Sequence, residues 1–353
     1  MKILITGGAG FIGSAFVRQV LAITDWDIAN LDKLTYACNP ETLVPFAANQ
    51  RHKFVHADIC DSGKVRAVIA AGQPDAIVHL AAETHVDRSI DAPAPFVRTN
   101  ILGTHALLEN ALGYWRSLPP ARRKTFRFLH VSTDEVYGSL GLEGAFDENS
   151  PHRPNSPYAA SKAASDHLVR AWHRTYGLPV LIVNCSNNYG PYQFPEKLVP
   201  LMIVRALAGE ALPVYGKGEN VRDWLYVDDH VRALIEVLRR GRPGEAYNVG
   251  GDCERRNIDL VRALCALLDE MLPGSASRPH EKLIEFVPDR PGHDLRYAMN
   301  TAKIRKDIGW APQETMESGL AKTLRWYLDH RTWWEPIRAR TYRGERLGLI
   351  DET

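Results

Sequence analysis

The feature that most constrains the fold of this chain is a glycine-rich segment, TGGAGFIG, directly after a short apolar run, KILIT. Gly7, Gly10 and Gly13 satisfy G-x-x-G-x-x-G, and the segment counted from Gly8 also satisfies G-x-G-x-x-G. Taken alone, such a pattern can be a turn that needs a positive φ. Because a predicted strand precedes it and a helical stretch follows it, the segment instead indicates a helix N-terminus that binds a pyrophosphate.

An acidic residue at the end of the second predicted strand supports this interpretation. The strand WDIANLD ends at Asp32, 19 residues beyond Gly13, close to the spacing at which a carboxylate binds the ribose hydroxyls of a dinucleotide. A carboxylate there repels a 2′-phosphate, so NAD is favoured over NADP, although the adjacent Lys33 weakens that argument slightly.

Apolar segments continue to alternate with helical ones as far as residue 186. Further predicted strands end at Asp58, Ala82, Ser132 and Ser186. Continuous apolar strands separated by helices indicate a parallel sheet covered on both faces. We therefore predict an α/β fold, a Rossmann-like doubly wound parallel sheet with ligands at the carboxyl ends of its strands.

The pattern changes after residue 186, where Pro and Gly become frequent. We predict an NAD-binding Rossmann domain over 1–186, with a return of the chain to it around 221–250. The segments 187–220 and 251–353 are predicted to form a smaller, mixed α/β C-terminal lobe that binds the substrate. The tail from Arg331, with Trp333 and Trp334, is interpreted as packing or the edge of an interface.

Charge and composition exclude several classes of protein. The chain has 353 residues, with 43 Lys and Arg against 42 Asp and Glu, so no global field attracts nucleic acid or an anionic membrane. No apolar run approaches the roughly 20 residues of a membrane helix, and the N-terminus lacks the pattern of a signal peptide. The five cysteines are scattered without a C-x-x-C, which favours reduced thiols in the cytoplasm and no metal site.

Two further segments carry candidate catalytic groups. HVSTDEVYG places Thr133, Asp134 and Glu135 directly after an apolar strand, where carboxylates are costly unless paired, solvated or used. YAASK places Tyr158 and Lys162 four residues apart, on one face if the segment is helical. A nearby ammonium then lowers the pKa of the tyrosine towards a value suited to a general base. Alternatively, Asp134 caps the next segment, Glu135 is solvated, and Y-x-x-x-K is an ordinary amphipathic helix.

These motifs together resemble the extended short-chain dehydrogenase/reductase superfamily, and within it the dTDP-glucose 4,6-dehydratase family. The resemblance rests on TGGAGFIG, HLAAETHVDRS, HVSTDEVYG, YAASK, NNYGPYQFPEKLVP, NVRDWLYVDDH and DRPGHDLRY, from Met1 to about Leu328. It implies an NAD-dependent hydro-lyase that converts dTDP-glucose to dTDP-4-keto-6-deoxyglucose and water and supplies deoxysugars such as rhamnose for cell-surface polysaccharide.

The resemblance also implies a role for each candidate catalytic residue. Tyr158 would remove the proton of the C4 hydroxyl during oxidation of the sugar by NAD, with Thr133 holding the C4 oxygen. Glu135 would then remove the C5 proton as the base, and Asp134 would protonate the departing C6 hydroxyl as the acid. Lys162 would assist Tyr158 and also bind the nicotinamide ribose.

The implied binding residues fall into two sets. The set that would contact the cofactor comprises Gly7, Gly10, Phe11, Ile12, Gly13, Asp32, Lys33, Thr35, Asp58, Ile59, Leu80, Ala81, Ala82, Thr84, Thr99, Tyr158, Lys162 and Asn188. The set that would contact the substrate comprises Thr84, Asn187, Lys197, Leu198, Pro213, Tyr215, Arg222, Asn257, Arg290 and His293. Asp58 could bind the adenine amino group or cap a helix, and Cys38 and Leu295 depart from the usual Gly and basic residue of the family.

Alternatives stay open at this level. Sugar-nucleotide 4-epimerases share the hydroxyl, the tyrosine and the lysine but commonly lack the Asp-Glu pair, and GDP-mannose 4,6-dehydratases generally use NADP. A non-catalytic NAD or nucleotide-sugar sensor could share the fold. The superfamily further implies a homodimer through a four-helix bundle, for which the candidate segments run from about Val97 to Trp115 and from Ser156 to Tyr176.

Overall fold

The computed structural model describes residues 1–340, Tyr342 and Leu347; the remaining part of the predicted tail lies outside the described residues. Its strands are β1 Lys2–Thr6, β2 Asp27–Asp32, β3 His52–His56, β4 Ala76–His79, β5 Arg127–Thr133, β6 Val180–Cys185, β7 Asn187–Tyr189, β8 Leu212–Tyr215, β9 Val221–Tyr226, β10 Ala246–Val249, β11 Glu254–Arg256 and β12 Ile284–Val287. Its α-helices are α1 Phe11–Ile23, α2 Ser62–Gly72, α3 Val86–Asp91, α4 Ala94–Phe96, α5 Thr104–Ser117, α6 Pro120–Thr125, α7 Pro157–Tyr176, α8 Leu198–Ala208, α9 Val227–Arg240, α10 Asn257–Met271, α11 Ala302–Ile308, α12 Met316–Asp329 and α13 Arg331–Arg340.

Seven parallel strands form the main sheet, in the order β10-β6-β5-β4-β1-β2-β3. Alternate side chains of each strand enter different cores, because successive residues of a strand point to opposite faces. Ile3 and Ile5 pack in the core that contains α1 and α9, whereas Leu4 packs in the core that contains α2, α5 and α7. The predicted Rossmann-like, doubly wound α/β fold is confirmed.

The strands end where their neighbours end, which shortens two of the predicted strands. β4 pairs with β1 as far as His79 opposite Thr6, and β1 stops there at the glycine turn. Similarly, β3 ends at His56 opposite Asp32, the last residue of β2. The predicted ends at Asp58 and Ala82 are therefore too late. The hydrogen bonds to β2 and β1 stop with the Ala57 N–H to the Asp32 carbonyl and the Leu80 N–H to the Thr6 carbonyl.

The rest of the chain forms a second core beside the carboxyl ends of the main sheet. β7, β9 and β11 form a three-stranded sheet, and β8 pairs with β12. Within the segment 221–250, β9 belongs to the three-stranded sheet, whereas α9 packs on α1 and β10 joins the main sheet. Trp333 and Trp334 are buried in the second core. The division into lobes at the proposed boundaries stays a prediction.

Two helical features position the site. α7 begins at Pro157 after the N-cap Ser156, whose hydroxyl accepts a hydrogen bond from the Ala159 N–H, and Gly177 ends it in the left-handed region. The segment Val97–Gly103, predicted as the start of a long helix, is a π-helix that leads into α5. No helix within the described residues is long and apolar enough to cross a membrane.

Candidate active site

The glycine turn brings the backbone of β1 against the loop after β4. Gly7 has φ +78°, and a Cβ there would lie 2.6 Å from the Ala81 nitrogen. A Cβ on Gly13 would lie 2.0 Å from the Gly7 carbonyl oxygen, so α1 can approach the turn only because position 13 is glycine. α1 begins after Gly10 with no capping side chain and no acidic residue in its first turn. Its N-terminus is therefore available to an anion.

The carboxylate of Asp32 is held rigidly beside this turn. It accepts hydrogen bonds from the Ala9 N–H at 3.0 Å and from the Leu34 N–H at 2.8 Å. Burial raises the pKa of Asp32, while these two hydrogen bonds and Lys33 oppose the rise. The Lys33 ammonium is turned to Glu83 at 2.9 Å and to the Thr99 hydroxyl at 3.0 Å. The positive charge of Lys33 is thus paired with Glu83. Lys33 therefore no longer weakens the preference for NAD over NADP that the Asp32 carboxylate indicates.

One cavity, of about 320 Å³, runs from the glycine turn to the ends of β5 and β6. Its lining contains 23 of the predicted binding and catalytic residues: Gly7, Gly10, Phe11, Ile12, Gly13, Asp32, Lys33, Thr35, Ile59, Leu80, Ala81, Ala82, Thr84, Thr99, Thr133, Asp134, Glu135, Tyr158, Lys162, Asn187, Asn188, Lys197 and Leu198. The glycine turn, the uncapped helix N-terminus and the Asp32 carboxylate fit a dinucleotide, and the catalytic candidates lie in the same cavity.

Thr133, Asp134 and Glu135 lie where β5 ends in a short 3₁₀-helix, Asp134–Tyr137. The Thr133 hydroxyl accepts a hydrogen bond from the Glu135 N–H at 3.3 Å and donates one to Asp134 Oδ1 at 3.2 Å. Thr133, rather than Asp134, therefore caps this turn. Asp134 Oδ2 is buried and has no hydrogen-bond partner among the described residues.

The two carboxyl groups lie in different electrostatic environments. Burial raises the pKa of Asp134 well above its usual value, and the charges of Glu135 and Asp223 raise it further. Burial also raises the pKa of Glu135, but the cations Arg290, Lys197 and Arg222 oppose that rise. Both pKa values are raised, that of Asp134 more strongly, so Asp134 holds its proton more tightly than Glu135 does.

Tyr158 and Lys162 lie on the buried face of α7, as the four-residue spacing predicted. The Lys162 ammonium donates a hydrogen bond to the Val131 carbonyl at 2.8 Å. Burial raises the pKa of Tyr158 well above its usual value, and Glu135 raises it further, while a hydrogen bond with Thr133 opposes the rise. The expectation of a lowered tyrosine pKa is therefore wrong for the protein without ligands, because burial penalises the phenolate more than its surroundings stabilise it.

The remaining substrate-side candidates do not line this cavity, but several of them lie close to Glu135. The Arg222 and Arg290 charges both act on that carboxylate. Asp87 links Arg290 and Tyr215, since it accepts hydrogen bonds from the Arg290 guanidinium at 3.2 Å and the Tyr215 hydroxyl at 2.8 Å.

The other members of this group are placed as follows. The His293 ring meets Tyr215 edge to face at 6.2 Å between centroids. Pro213 lies in β8, and Asn257 begins α10 with a buried Oδ1 that has no partner within the described residues.

The structure also resolves the open points of the sequence. Asp58 does not line the cavity and does not cap α2, whose N-cap is Asp61. The Asp58 carboxylate accepts a hydrogen bond from the Cys60 N–H at 2.9 Å. The Cys38 thiol lines the cavity and donates to the Ala9 carbonyl at 3.2 Å, and burial raises its pKa to about 12. Leu295 is 46% exposed.

Gln193, Phe194 and Glu196 line the cavity without having been predicted. The Glu196 carboxylate accepts hydrogen bonds from the Tyr36 hydroxyl at 3.2 Å and the Arg88 guanidinium at 3.1 Å. These residues lie between Asn188 and Lys197 in the segment NNYGPYQFPEKLVP. Their position between two predicted binding residues is the sequence feature from which their place in the cavity could have been predicted.

Residues 4–323 match the GDP-mannose 4,6 dehydratase family. The chain belongs to this family. It is 56% identical to the dTDP-glucose 4,6-dehydratase of Escherichia coli over 365 residues, which cover 99% of this chain and 100% of that protein.

Solved structures show the same relationship. DesIV from Streptomyces venezuelae, a dTDP-glucose 4,6-dehydratase solved with NAD and TYD bound, has a TM-score of 0.86 at 48% identity and covers 96% of this chain and 100% of its own. The UDP-glucose 4-epimerase of Thermotoga maritima, solved with UDP-glucose, has a TM-score of 0.81 at 29% identity, with 93% and 99% covered. The family predicted from the motifs is confirmed.

Proposed function

We propose that this protein is an NAD-dependent dTDP-glucose 4,6-dehydratase, a hydro-lyase that forms dTDP-4-keto-6-deoxyglucose and water. The single observation that carries the proposal is the pair Asp134 and Glu135, two buried adjacent carboxyl groups with different surroundings, in the cavity that also contains the dinucleotide-binding glycine turn. A full-length relative at 56% identity with this activity in its name supports it.

The cofactor would lie on the glycine turn, with a ribose at Asp32. When bound there, NAD would supply the redox chemistry, with oxidation at C4 of the sugar and return of the hydride at C6, so that no net oxidation would occur. Tyr158 takes the proton of the C4 hydroxyl, and Thr133 holds the C4 oxygen. Burial disfavours the phenolate, so Tyr158 ionises only if a positive charge lies near its hydroxyl. In this proposal the ammonium of Lys162 provides that charge.

Elimination of water follows at the two carboxyl groups. The C4 ketone makes the C5 proton acidic, and the ionised Glu135 removes it and returns a proton to C5 when C6 is reduced. The protonated Asp134 donates its proton to the C6 hydroxyl, so that the C6–O bond breaks and water leaves. Each acid or base of this kind contributes about 100- to 10,000-fold in rate. The split environments provide the two protonation states that this step needs.

The nucleotide diphosphate would lie among Asn187, Lys197, Arg222, Arg290 and His293. Two arginines suit this role because the planar guanidinium binds phosphate oxygens in a bidentate manner. Tyr215 and Asn257 would hold the base.

We also propose a homodimer in the cytoplasm. Val97 and Leu102 are exposed on the π-helix before α5, and Tyr176 is exposed at the end of α7. An apolar face of this kind on two neighbouring helices suits a bundle with a second copy. The five free cysteines are consistent with a reducing compartment.

The direct test incubates the purified protein with dTDP-glucose or UDP-glucose, with and without added NAD, and follows the sugar nucleotide by mass spectrometry. Loss of one water from dTDP-glucose alone is the expected result. Inversion at C4 without a change in mass would identify a 4-epimerase and would contradict the roles of Asp134 and Glu135. No change with either sugar would reject both enzymes for these substrates.

A further inference from the structure

Asp166 is a buried carboxylate that has no part in the proposed mechanism. It lies on α7, which carries Tyr158 and Lys162, and it contacts β5, which ends at Thr133. Asp166 is 1% exposed and lies on α7, four residues beyond Lys162. Its Oδ1 accepts a hydrogen bond from His130 Nε2 at 3.1 Å, and its Oδ2 accepts one from the Ser132 hydroxyl at 2.9 Å. Both partners belong to β5, the strand that ends at Thr133.

A third contact extends the connection to β6. The Asn184 amide donates to Asp166 Oδ2 at 3.1 Å and to the Thr133 carbonyl at 3.3 Å. One side chain of α7 therefore connects α7, β5 and β6, and the Asn184 amide continues that connection to the backbone of a catalytic residue. Strand ends and a helix held in this way keep the reacting groups at a fixed separation, on which proximity effects depend.

The contact with His130 is a hydrogen bond and not an ion pair at neutral pH. Burial lowers the pKa of His130 to about 4, and the charge of Lys162 lowers it further. Lys162 lies one helical turn before Asp166 on α7, and no ion pair joins the two side chains within the described residues. The charge of Asp166 therefore favours the buried ammonium of Lys162 through space. Among the groups around Lys162, Asp166 is the largest influence that favours its charged form.

We infer that Asp166 is a positioning residue for the proposed reaction: it aligns Tyr158 and Lys162 with Thr133, Asp134 and Glu135, and it provides the counter-charge of Lys162. The expected effect on kcat rests on the proposed function. The expected effect on the pKa of Lys162 does not. The titratable groups whose charges interact with that of Lys162 are His79 of β4, His130 of β5, Cys185 of β6 and Asp166 of α7. Burial lowers the pKa of both histidines, so Asp166 is the anion among these groups.

The test replaces Asp166 by Asn, which keeps the shape but removes the charge and part of the accepting capacity. We expect kcat to fall about 10- to 100-fold, the range of an acid–base group that is misplaced rather than removed, while KM for dTDP-glucose changes less than about threefold. Without the counter-charge, Lys162 loses its proton at lower pH, so the high-pH limb of the kcat profile moves to lower pH.

A matched control separates positioning from stability. Asp229 is also buried at 2% exposure and accepts hydrogen bonds from the Gln313 and Glu314 N–H groups. Asp229→Asn should lower the melting temperature to a similar extent and leave the pH profile unchanged. If Asp166→Asn matches this control in kcat and pH profile, the inference is wrong.

Two further measurements keep the test decisive. NMR titration of Lys162 in protein with isotope-labelled lysine, assigned with Lys162→Arg, should show a lower pKa in Asp166→Asn, and an unchanged pKa overturns the inference even if the wild type does not act on dTDP-glucose. If Asp166→Asn does not fold, Ser132→Ala and Asn184→Ala each remove one contact to Asp166, and Asn184→Ala also removes the hydrogen bond to the Thr133 carbonyl. Both should lower kcat by several-fold, and wild-type kcat in both would equally overturn it.

Discussion

At the scale of single residues, the central feature is that two neighbouring carboxyl groups lie in different electrostatic surroundings. Two carboxylates, Glu135 and Asp223, raise the pKa of Asp134 and one cation, Arg222, lowers it. Three cations, Arg290, Lys197 and Arg222, lower the pKa of Glu135 and one carboxylate, Asp294, raises it. Because the pKa of a buried acid follows its neighbours, these surroundings support the proposal that Asp134 is the acid and Glu135 the base although they are adjacent in sequence.

This difference predicts distinct defects for the two conservative variants. In deuterated water, Glu135→Gln should abolish both loss of water and incorporation of solvent deuterium at C5, because no group removes the C5 proton. Asp134→Asn should slow loss of water about 100- to 10,000-fold but retain exchange at C5. Mass spectrometry of the sugar nucleotide measures both, with the exposed Glu143→Gln as the control. Exchange at C5 in Glu135→Gln would assign the base elsewhere.

The raised pKa of Asp134 also predicts a stability effect with a defined sign. The folded protein holds this proton more tightly than the unfolded chain, so stability is lost as the pH rises from about 4 through the folded pKa. Asp134→Asn removes a group that must either keep its proton or carry a buried charge as the pH rises. The variant should therefore melt at a higher temperature than the wild type at pH 8, and this gain should shrink as the pH falls.

Thermal melting at several pH values provides the measurement for Asp134→Asn. The exposed Asp25→Asn is the control, for which no pH-dependent difference is expected. An Asp134→Asn variant less stable than the wild type at pH 8 would show that the hydrogen bond from Thr133 outweighs the cost of burying the carboxylate.

At the scale of elements, the contact between β1, the glycine turn and α1 decides whether a dinucleotide can bind. Gly13→Ala places a methyl group 2.0 Å from the Gly7 carbonyl oxygen, which forces α1 away from the turn. We expect at least a tenfold loss of NAD affinity in calorimetry and a loss of stability of about 1–3 kcal/mol, the usual cost of overpacking.

A second glycine serves as the control for that substitution. Gly274 has no heavy atom within 4 Å of the position of a Cβ, so Gly274→Ala should bind NAD like the wild type. Equal NAD affinity in Gly13→Ala and Gly274→Ala would contradict the assignment of the turn as the pyrophosphate site.

At the scale of the whole molecule, the exposed apolar side chains near α5 predict the oligomeric state. Leu102 is 58% exposed on the π-helix segment. We expect the wild type to be a dimer in light scattering and Leu102→Glu to be a monomer, because a buried charge at a helix interface is costly. Leu142→Glu, at a side chain that is 88% exposed elsewhere, should remain a dimer. A monomeric wild type would reject the proposed bundle.

The sequence by itself determined the features that depend on local pattern. The alternation of apolar strands and helices predicted the fold class, and the spacing of Gly7, Gly13 and Asp32 predicted the dinucleotide site, because backbone geometry restricts which residues fit there. The strands at both ends of the main sheet show the limit of this information. β3 ends at His56 because β2 ends at Asp32, so the end of β3 is not visible in a local pattern. β10 joins β6 from a distant part of the chain, for which the sequence predicted only a return around 221–250 and not the strand that it pairs with.

Only the tertiary structure decided the electrostatics of the site and the contacts between distant segments. Burial reversed the predicted effect on Tyr158, since the pKa depends on everything around the phenol and not on the lysine one helical turn away. Glu196 lines the cavity and accepts hydrogen bonds from Tyr36 and Arg88, which lie 160 and 108 residues away in the chain. Sequence spacing constrains the backbone over a few residues, whereas charge and burial depend on side chains that only the complete fold brings together.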